Sequence, residues 1–212
     1  QAALALLTVT NDPAALKDHT FVFEAVTEGA AEKQSAYAAI AQYAAQDAII
    51  ASCSSSMDAE ILADLTPCPE RLLIAHPFQP VHMLPLVEVV RHRRTQEEVV
   101  SRTLTLLEQL HRQVVVLNRS VPGLLVNRFA QALFRESIYL IEQGVTTAAD
   151  IDRAVKYAVG MRYASIGLLE YFDAVGFQLE STIAQNVYPD LCGTRELQKT
   201  VLLSIYFIWK TQ

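Results

Sequence analysis

The sequence predicts an α/β fold of βαβ units followed by an all-α region, and three observations carry that prediction. Short apolar runs bounded by turn residues alternate with longer helix-forming stretches as far as residue 117. The Ser-Val-Pro-Gly segment at 120–123 interrupts the alternation and is the best domain boundary in the chain. Beyond it the strand pattern disappears, and apolar residues recur at helical spacing.

Residues 6–10 (LLTVT) are a short strand candidate, and Asn11, Asp12 and Pro13 make a turn and helix start. A second strand is expected at 21–26 (FVFEAV). The Ala-rich stretch 29–45 is a helix by propensity, and 48–52 (AIIAS) is a third strand. Residues 54–65 read as a short helix entered through a serine-rich turn, and 72–75 as the strand that delivers His76. Pro77, Pro80 and Pro85 punctuate the next turn, after which the apolar run 86–90 carries a single carboxylate, Glu88. The basic cluster 91–94 reads as a solvated turn. Thr95 with Glu98 three residues on forms an S/T-x-x-E capping box for a helix to about residue 111, and 114–117 closes the sheet.

In the second half, Val126, Phe129, Ala130, Leu133, Phe134, Ser137, Leu140 and Ile141 line one face of a long helix over 124–143. Gly144 ends it. Thr147 with Asp150 starts the next helix, which Ile151, Ala154, Val155 and Ala158 continue. Gly160 and Gly167 bracket a loop; helices are expected over 170–188, stopped by Pro189, and from 195 to about 208. A helical region this small buries too little surface to be comfortable alone. It is expected to pack on a second copy of the chain, as a homodimer, as well as on its own first domain.

With 212 residues the chain can bury one good core or two small ones, and 51% hydrophobic with 19% charged residues places it among ordinary soluble proteins. A net charge of −6 argues against a nucleic-acid partner. No stretch approaches the roughly eighteen apolar residues of a membrane span, and residues 1–10 lack the basic start of a secretory signal. Cys53, Cys68 and Cys192 are odd in number and lack metal-ligand spacing, which predicts a reducing, cytoplasmic setting without a metal site. Of the seven glycines none fall as G-x-G.

Chemistry concentrates in 73–90, LIAHPFQPVHMLPLVEVV. Glu88 among Leu86, Val87, Val89 and Val90 is costly to bury unless a positive group or proton donor meets it. If the two apolar runs are neighbouring strands joined by the Pro-rich turn, Glu88 accepts a hydrogen bond from Nδ1–H of His76. That fixes the tautomer and leaves Nε2 free, the arrangement of a general base with its orienting group. By itself the spacing also fits a His satisfied in a core.

The stretch resembles the catalytic segment of the L-3-hydroxyacyl-CoA dehydrogenase family, H-x-F-N-P, a spacer, then L-V-E-V: His76, Phe78, Pro80 and residues 86–89 match. The resemblance implies that His76 takes the proton of the substrate's 3-hydroxyl and that Glu88 holds His76. Gln79 stands where the family has Asn, near the nicotinamide. FVFEAVTEGAAEK is similar to the family's E-A segment, which implies that Glu28 and Lys33 touch the dinucleotide; taken alone, the two fit a helix-dipole complement and a solvated face. ASCSSSM at 51–57 resembles S-N-T-S-S-L, with Ser55 at the position that bonds substrate beside the nicotinamide and Cys53 in place of Asn. Alone, such a loop is a turn and helix cap. VPGLLVNRF resembles P-G-F-x-x-N-R, which implies that Asn127 reaches the active site, although an Asn in a first helical turn also serves backbone groups. The segment from Glu142 to Gly176 is similar to the helical-domain signature, with Leu168 for the usual Pro. Its G-M-R-Y-A-x-I-G wording is nearer the L-gulonate dehydrogenase and lambda-crystallin branch.

The resemblance runs over about residues 5–190. It implies a Rossmann-like, NAD-binding α/β domain at 1–120, lacking its N-terminal part, and a helical substrate and dimerisation domain at 121–212. The family's opening strand, Gly-rich turn and acidic ribose contact have no counterpart, so the chain is expected to be a part or a derivative of such an enzyme. The implied reaction is NAD-dependent hydride transfer from C3 of a 3-hydroxyacyl-CoA in fatty-acid metabolism, with His76, Glu88, Ser55 and Asn127 catalytic and Glu28, Lys33, Ser55 and Gln79 at the cofactor. Two alternatives stand beside it: a dehydrogenase of a small 3-hydroxy acid such as L-gulonate or carnitine, and a non-catalytic crystallin-like derivative.

Overall fold

The computed structural model describes residues 6–196. The chain divides after Arg128 into two compact units. The first contains β1 (Phe21–Glu24), α1 (Ala30–Tyr43), β2 (Ile49–Ser52), α2 (Ala59–Leu65), β3 (Leu72–Pro77), β4 (Leu86–Val90), α3 (Glu97–Gln109) and β5 (Gln113–Leu117). The strands form one sheet in the order β1-β2-β3-β4-β5. Neighbours are parallel except β3 and β4, which run antiparallel across the Pro-rich turn.

Apolar side chains line both faces because helices cover both. Ile50, Leu72, Ile74 and Val90 pack with Tyr37 and Ile40 of α1 and Leu62 of α2. Ile49, Ala51, Leu73, Ala75, Val87 and Val89 meet Val99, Val100 and Leu107 of α3 on the other side. Continuous apolar runs are what a sheet buried on both faces requires, and each fully buried Val, Leu or Ile contributes about 1.5–3 kcal/mol. The two-residue period of a strand then decides where the polar groups go. Glu24 follows Val22, Ser52 follows Ile50, His76 follows Ile74 and Glu88 precedes Val90, so all four share the α1/α2 face. Register makes Glu24 the partner of Ser52 and His76 the partner of Glu88.

Several elements differ from their sequence-based expectations. Residues 6–10 are not a strand: they have no paired neighbour among the described residues, and Leu6, Leu7 and Val9 are exposed. The helix expected at 54–65 begins at Ala59, capped by Asp58, whose side chain accepts from Glu60 N–H at 2.8 Å. The serines before it are engaged elsewhere, an instance of hydroxyls competing with helix. Thr95 is not the cap of α3. Its Oγ1 donates to Leu72 O at 2.9 Å and accepts from His92 N–H at 3.1 Å, and Gln96 takes the cap position. The basic turn is less solvated than expected: Arg91 pairs with Glu97, Arg93 with Glu60 and Arg94 with Asp64, and His92 is buried.

From the end of the first unit into the second runs α4 (Val126–Glu142), followed by α5 (Ala148–Ala154), α6 (Gly160–Ser165), α7 (Leu168–Val175) and α8 (Phe177–Val187). Thr147 caps α5 as its spacing to Asp150 predicts, accepting from Asp150 N–H at 3.3 Å. The loop expected between Gly160 and Gly167 is helical instead. A π-helical turn, Val155–Val159, joins α5 to α6, and a Cβ on Gly160 would stand 3.1 Å from Val155 O. Glycine removes that crowding at a helix-propensity cost of about 1 kcal/mol. The single helix expected at 170–188 is broken at Gly176, whose φ of 96° lies in the left-handed region. The helix expected from 195 to about 208 falls outside the described residues.

Candidate active site

His76 and Glu88 face each other across the antiparallel β3–β4 pair, where directly opposed residues point to the same side. Nδ1 of His76 lies 3.2 Å from Oε2 of Glu88. Glu88 is fully buried and His76 9% exposed. With a carboxylate as its acceptor, Nδ1 carries the proton, and Nε2 is the ring nitrogen turned away from Glu88. No group among the described residues bonds to Nε2. The ring of Phe78 meets that of His76 edge to face, with centroids 4.8 Å apart, and fixes the other side of the imidazole.

The second oxygen of Glu88 accepts backbone N–H groups from Leu125 at 2.8 Å and Val126 at 3.0 Å, at the entry to α4. Asn127 is the next residue and lies half-buried in the first turn of that helix. The carboxylate of the pair thus fixes the backbone that carries Asn127.

Glu28 and Ser55 also come together. Oε1 of Glu28 accepts the Ser55 N–H at 2.7 Å and lies 3.4 Å from its hydroxyl, while Oε2 accepts from Ser54 Oγ at 2.7 Å. Burial pushes the Glu28 carboxyl up, but the Ser54 and Ser55 hydrogen bonds and the charge of Lys33 outweigh it, and its pKa is lowered. Ser55 borders a small crevice closed on its other side by 120–124. Gln79 is exposed on the turn after β3.

Lys33, expected at the dinucleotide, is 1% exposed, and its ammonium lies 3.0 and 3.1 Å from the two oxygens of Glu24. Tyr37 O–H and Ser52 O–H donate to Glu24 Oε2 at 2.9 and 2.7 Å, and Val26 N–H to Oε1 at 2.8 Å. Burial and the Glu24 charge push the Tyr37 hydroxyl well up. The Cys53 thiol is raised by burial and by Glu24, against Lys33. Sequence reasoning missed this buried network beneath the Glu28–Ser55 loop. Its signal was Lys33, Tyr37 and Ile40 at i, i+4 and i+7, which puts a lysine on the buried stripe of α1.

Residues 1–120 match the family model of the 3-hydroxyacyl-CoA dehydrogenase NAD binding domain, and residues 123–210 match that of the C-terminal domain. The L-carnitine dehydrogenase of Oceanobacillus iheyensis is 33% identical over 162 residues, covering 76% of this chain and 53% of that protein. The chain spans about half the length of the curated relatives it matches. Among solved structures, an NAD+-dependent 5-formyl-3-hydroxy-2-methylpyridine 4-carboxylic acid 5-dehydrogenase superposes with a TM-score of 0.87 at 28% identity, covering 93% of this chain and 64% of its own. The 3-hydroxyacyl-CoA dehydrogenase of Archaeoglobus fulgidus gives 0.74 at 30% identity, covering 82% of this chain and 60% of its own. With both family models matched in order along the sequence, the chain belongs to the 3-hydroxyacyl-CoA dehydrogenase family.

Proposed function

We propose that the protein carrying this chain is an NAD-dependent dehydrogenase that oxidises the 3-hydroxyl of a small 3-hydroxy acid of the L-carnitine type. The observation that carries the reaction is the His76–Glu88 pair, an imidazole held at Nδ1 whose Nε2 no described residue engages. His76 Nε2 takes the hydroxyl proton while Glu88 holds Nδ1–H and stabilises the imidazolium that forms. Asn127 and Ser55 orient the substrate oxygens. The donor set at the carboxyl ends of β1–β3 suits the nicotinamide half of NAD, with Glu28 as acceptor, Ser55 as hydroxyl donor and Gln79 as carboxamide. The pyrophosphate half calls for glycine-rich backbone, and the sequence contains no G-x-G. When bound, NAD supplies the hydride acceptor for C3.

The choice of a small acid rests on relatives named L-carnitine dehydrogenase at 33% and 36% identity. A 3-hydroxyacyl-CoA substrate is the second reading, favoured by the likeness to the Archaeoglobus enzyme. NADH formation from L-carnitine and from 3-hydroxybutyryl-CoA separates them. Turnover of carnitine alone is expected, turnover of the thioester alone would transfer the assignment to acyl-CoA, and turnover of neither would overturn both.

A homodimer through the helical unit is part of the proposal, supported by the exposed Leu133, Tyr157, Leu169 and Phe177. A reducing, cytoplasmic setting is a further part, supported by free thiols at Cys53 and Cys68. No described helix is long and apolar enough to cross a membrane.

A further inference from the structure

Glu88 is held from two sides, and the second is a turn of backbone. Two successive N–H groups, of Leu125 and Val126, converge on Oε1 at 2.8 and 3.0 Å. They can do so because the chain turns just before them through Gly123 at φ 79° and Leu124 at φ 51°. Left-handed residues of this kind set consecutive amides on one concave side. The turn is itself anchored. Leu124 is 2% exposed within the core, its N–H donates to Val121 O at 2.9 Å, and Ser120 Oγ accepts from Ala59 N–H at 3.3 Å at the start of α2.

The consequence is directional. Backbone N–H groups only donate, so whatever occupies position 88 must turn an acceptor toward Leu125 and Val126. With no exposure to solvent, Glu88 has no water to compensate a different rotation. The turn therefore decides which of the two oxygens of Glu88 meets His76.

We propose that the Gly123–Leu124 turn is a rotational lock on side chain 88: by fixing one oxygen of Glu88 with two backbone donors, it sets which atom of that side chain faces Nδ1 of His76. The backbone at 123–126 thereby acts as a positioning element through Glu88, and it carries Asn127 in the same turn. The catalytic meaning rests on His76 being the base, but the lock is tested without turnover. Its failure and the failure of the functional reading are separate results.

The experiment is ¹⁵N imidazole NMR on the 212-residue chain and on Glu88→Gln, at a pH where the ¹⁵N shifts themselves show a neutral ring. In the unchanged chain the Nδ1–H tautomer of His76 is expected to exceed Nε2–H by roughly tenfold or more. In Glu88→Gln the turn claims the carboxamide oxygen and leaves the –NH₂ facing Nδ1, so the ratio inverts to an Nε2–H excess of similar size. A Glu88→Gln chain that keeps Nδ1–H would show that the amide rotates freely, and would overturn the lock. Should that variant not fold, amide exchange in the unchanged chain decides. Leu125 and Val126 are expected to exchange at least about a hundredfold more slowly than unstructured amides, and unprotected rates there would overturn the proposal.

Discussion

Glu24 and Glu88 lie on the same face of one sheet, 3% and 0% exposed, yet the groups that compensate them differ in kind. Glu24 meets an ammonium, two hydroxyls and a backbone N–H, so that both of its oxygens are engaged within the cluster. Glu88 meets two backbone N–H groups and one imidazole nitrogen. The first network is closed and the second ends on an atom, Nε2 of His76, that no described group engages. A closed cluster can only hold loops in place. The open one can pass its bias to whatever proton donor arrives at Nε2, and on the function proposed above one carboxylate is structural while the other serves chemistry.

The sharpest way to break the comparison is to remove the cation from the closed network. Lys33→Met leaves Glu24 buried without a counter-charge, and such a loss costs about 3–5 kcal/mol. The urea midpoint should fall accordingly, and an unchanged midpoint would mean that Glu24 is compensated by its hydroxyl partners alone. Glu88→Ala is expected to cost less in stability, about 1–3 kcal/mol for donors left without an acceptor. Its larger effect should be on turnover. A Glu88→Ala protein as unstable as Lys33→Met with unaltered kcat would reverse the roles given to the two carboxylates.

A smaller effect comes from the buried His92. Its Nε2–H donates to Leu72 O at 3.1 Å and its Nδ1 accepts from Arg94 N–H at 3.2 Å, so the folded protein uses the neutral ring. Burial lowers its pKa from the usual 6.5, against the pull of Glu60. Between that lowered value and 6.5 the unfolded chain binds more protons than the folded one, so stability rises with pH there. The His92 contribution is full above pH 6.5 and is lost as pH falls through the folded value. Urea midpoints over this range should slope in the wild type and flatten in His92→Asn; parallel slopes would show that His92 does not carry the pH dependence.

Much of this is legible in the residues alone. The apolar runs at 48–52, 72–75 and 86–90 mark strands buried on both faces, and the twelve-residue step from His76 to Glu88 anticipates their contact across an antiparallel pair. What is not legible depends on competition between local and tertiary partners. Thr95 followed by Glu98 reads as a helix cap, but the hydroxyl is worth more against Leu72 O, which the sequence leaves out of sight. Lys33 reads as a surface cation because its partner Glu24 is nine residues away on a strand. The two N–H groups on Glu88 are invisible for another reason: they belong to backbone, and only the left-handed turn at Gly123 and Leu124 aims them.

Everything proposed for the site depends most directly on His76. With NAD and L-carnitine, His76→Ala in the protein carrying this chain should lower kcat by about 10²–10⁴-fold, the usual contribution of a general base. The thermal midpoint should stay near that of the unchanged protein. A variant that turns over within a few-fold of wild type would contradict the assignment of His76 as the base.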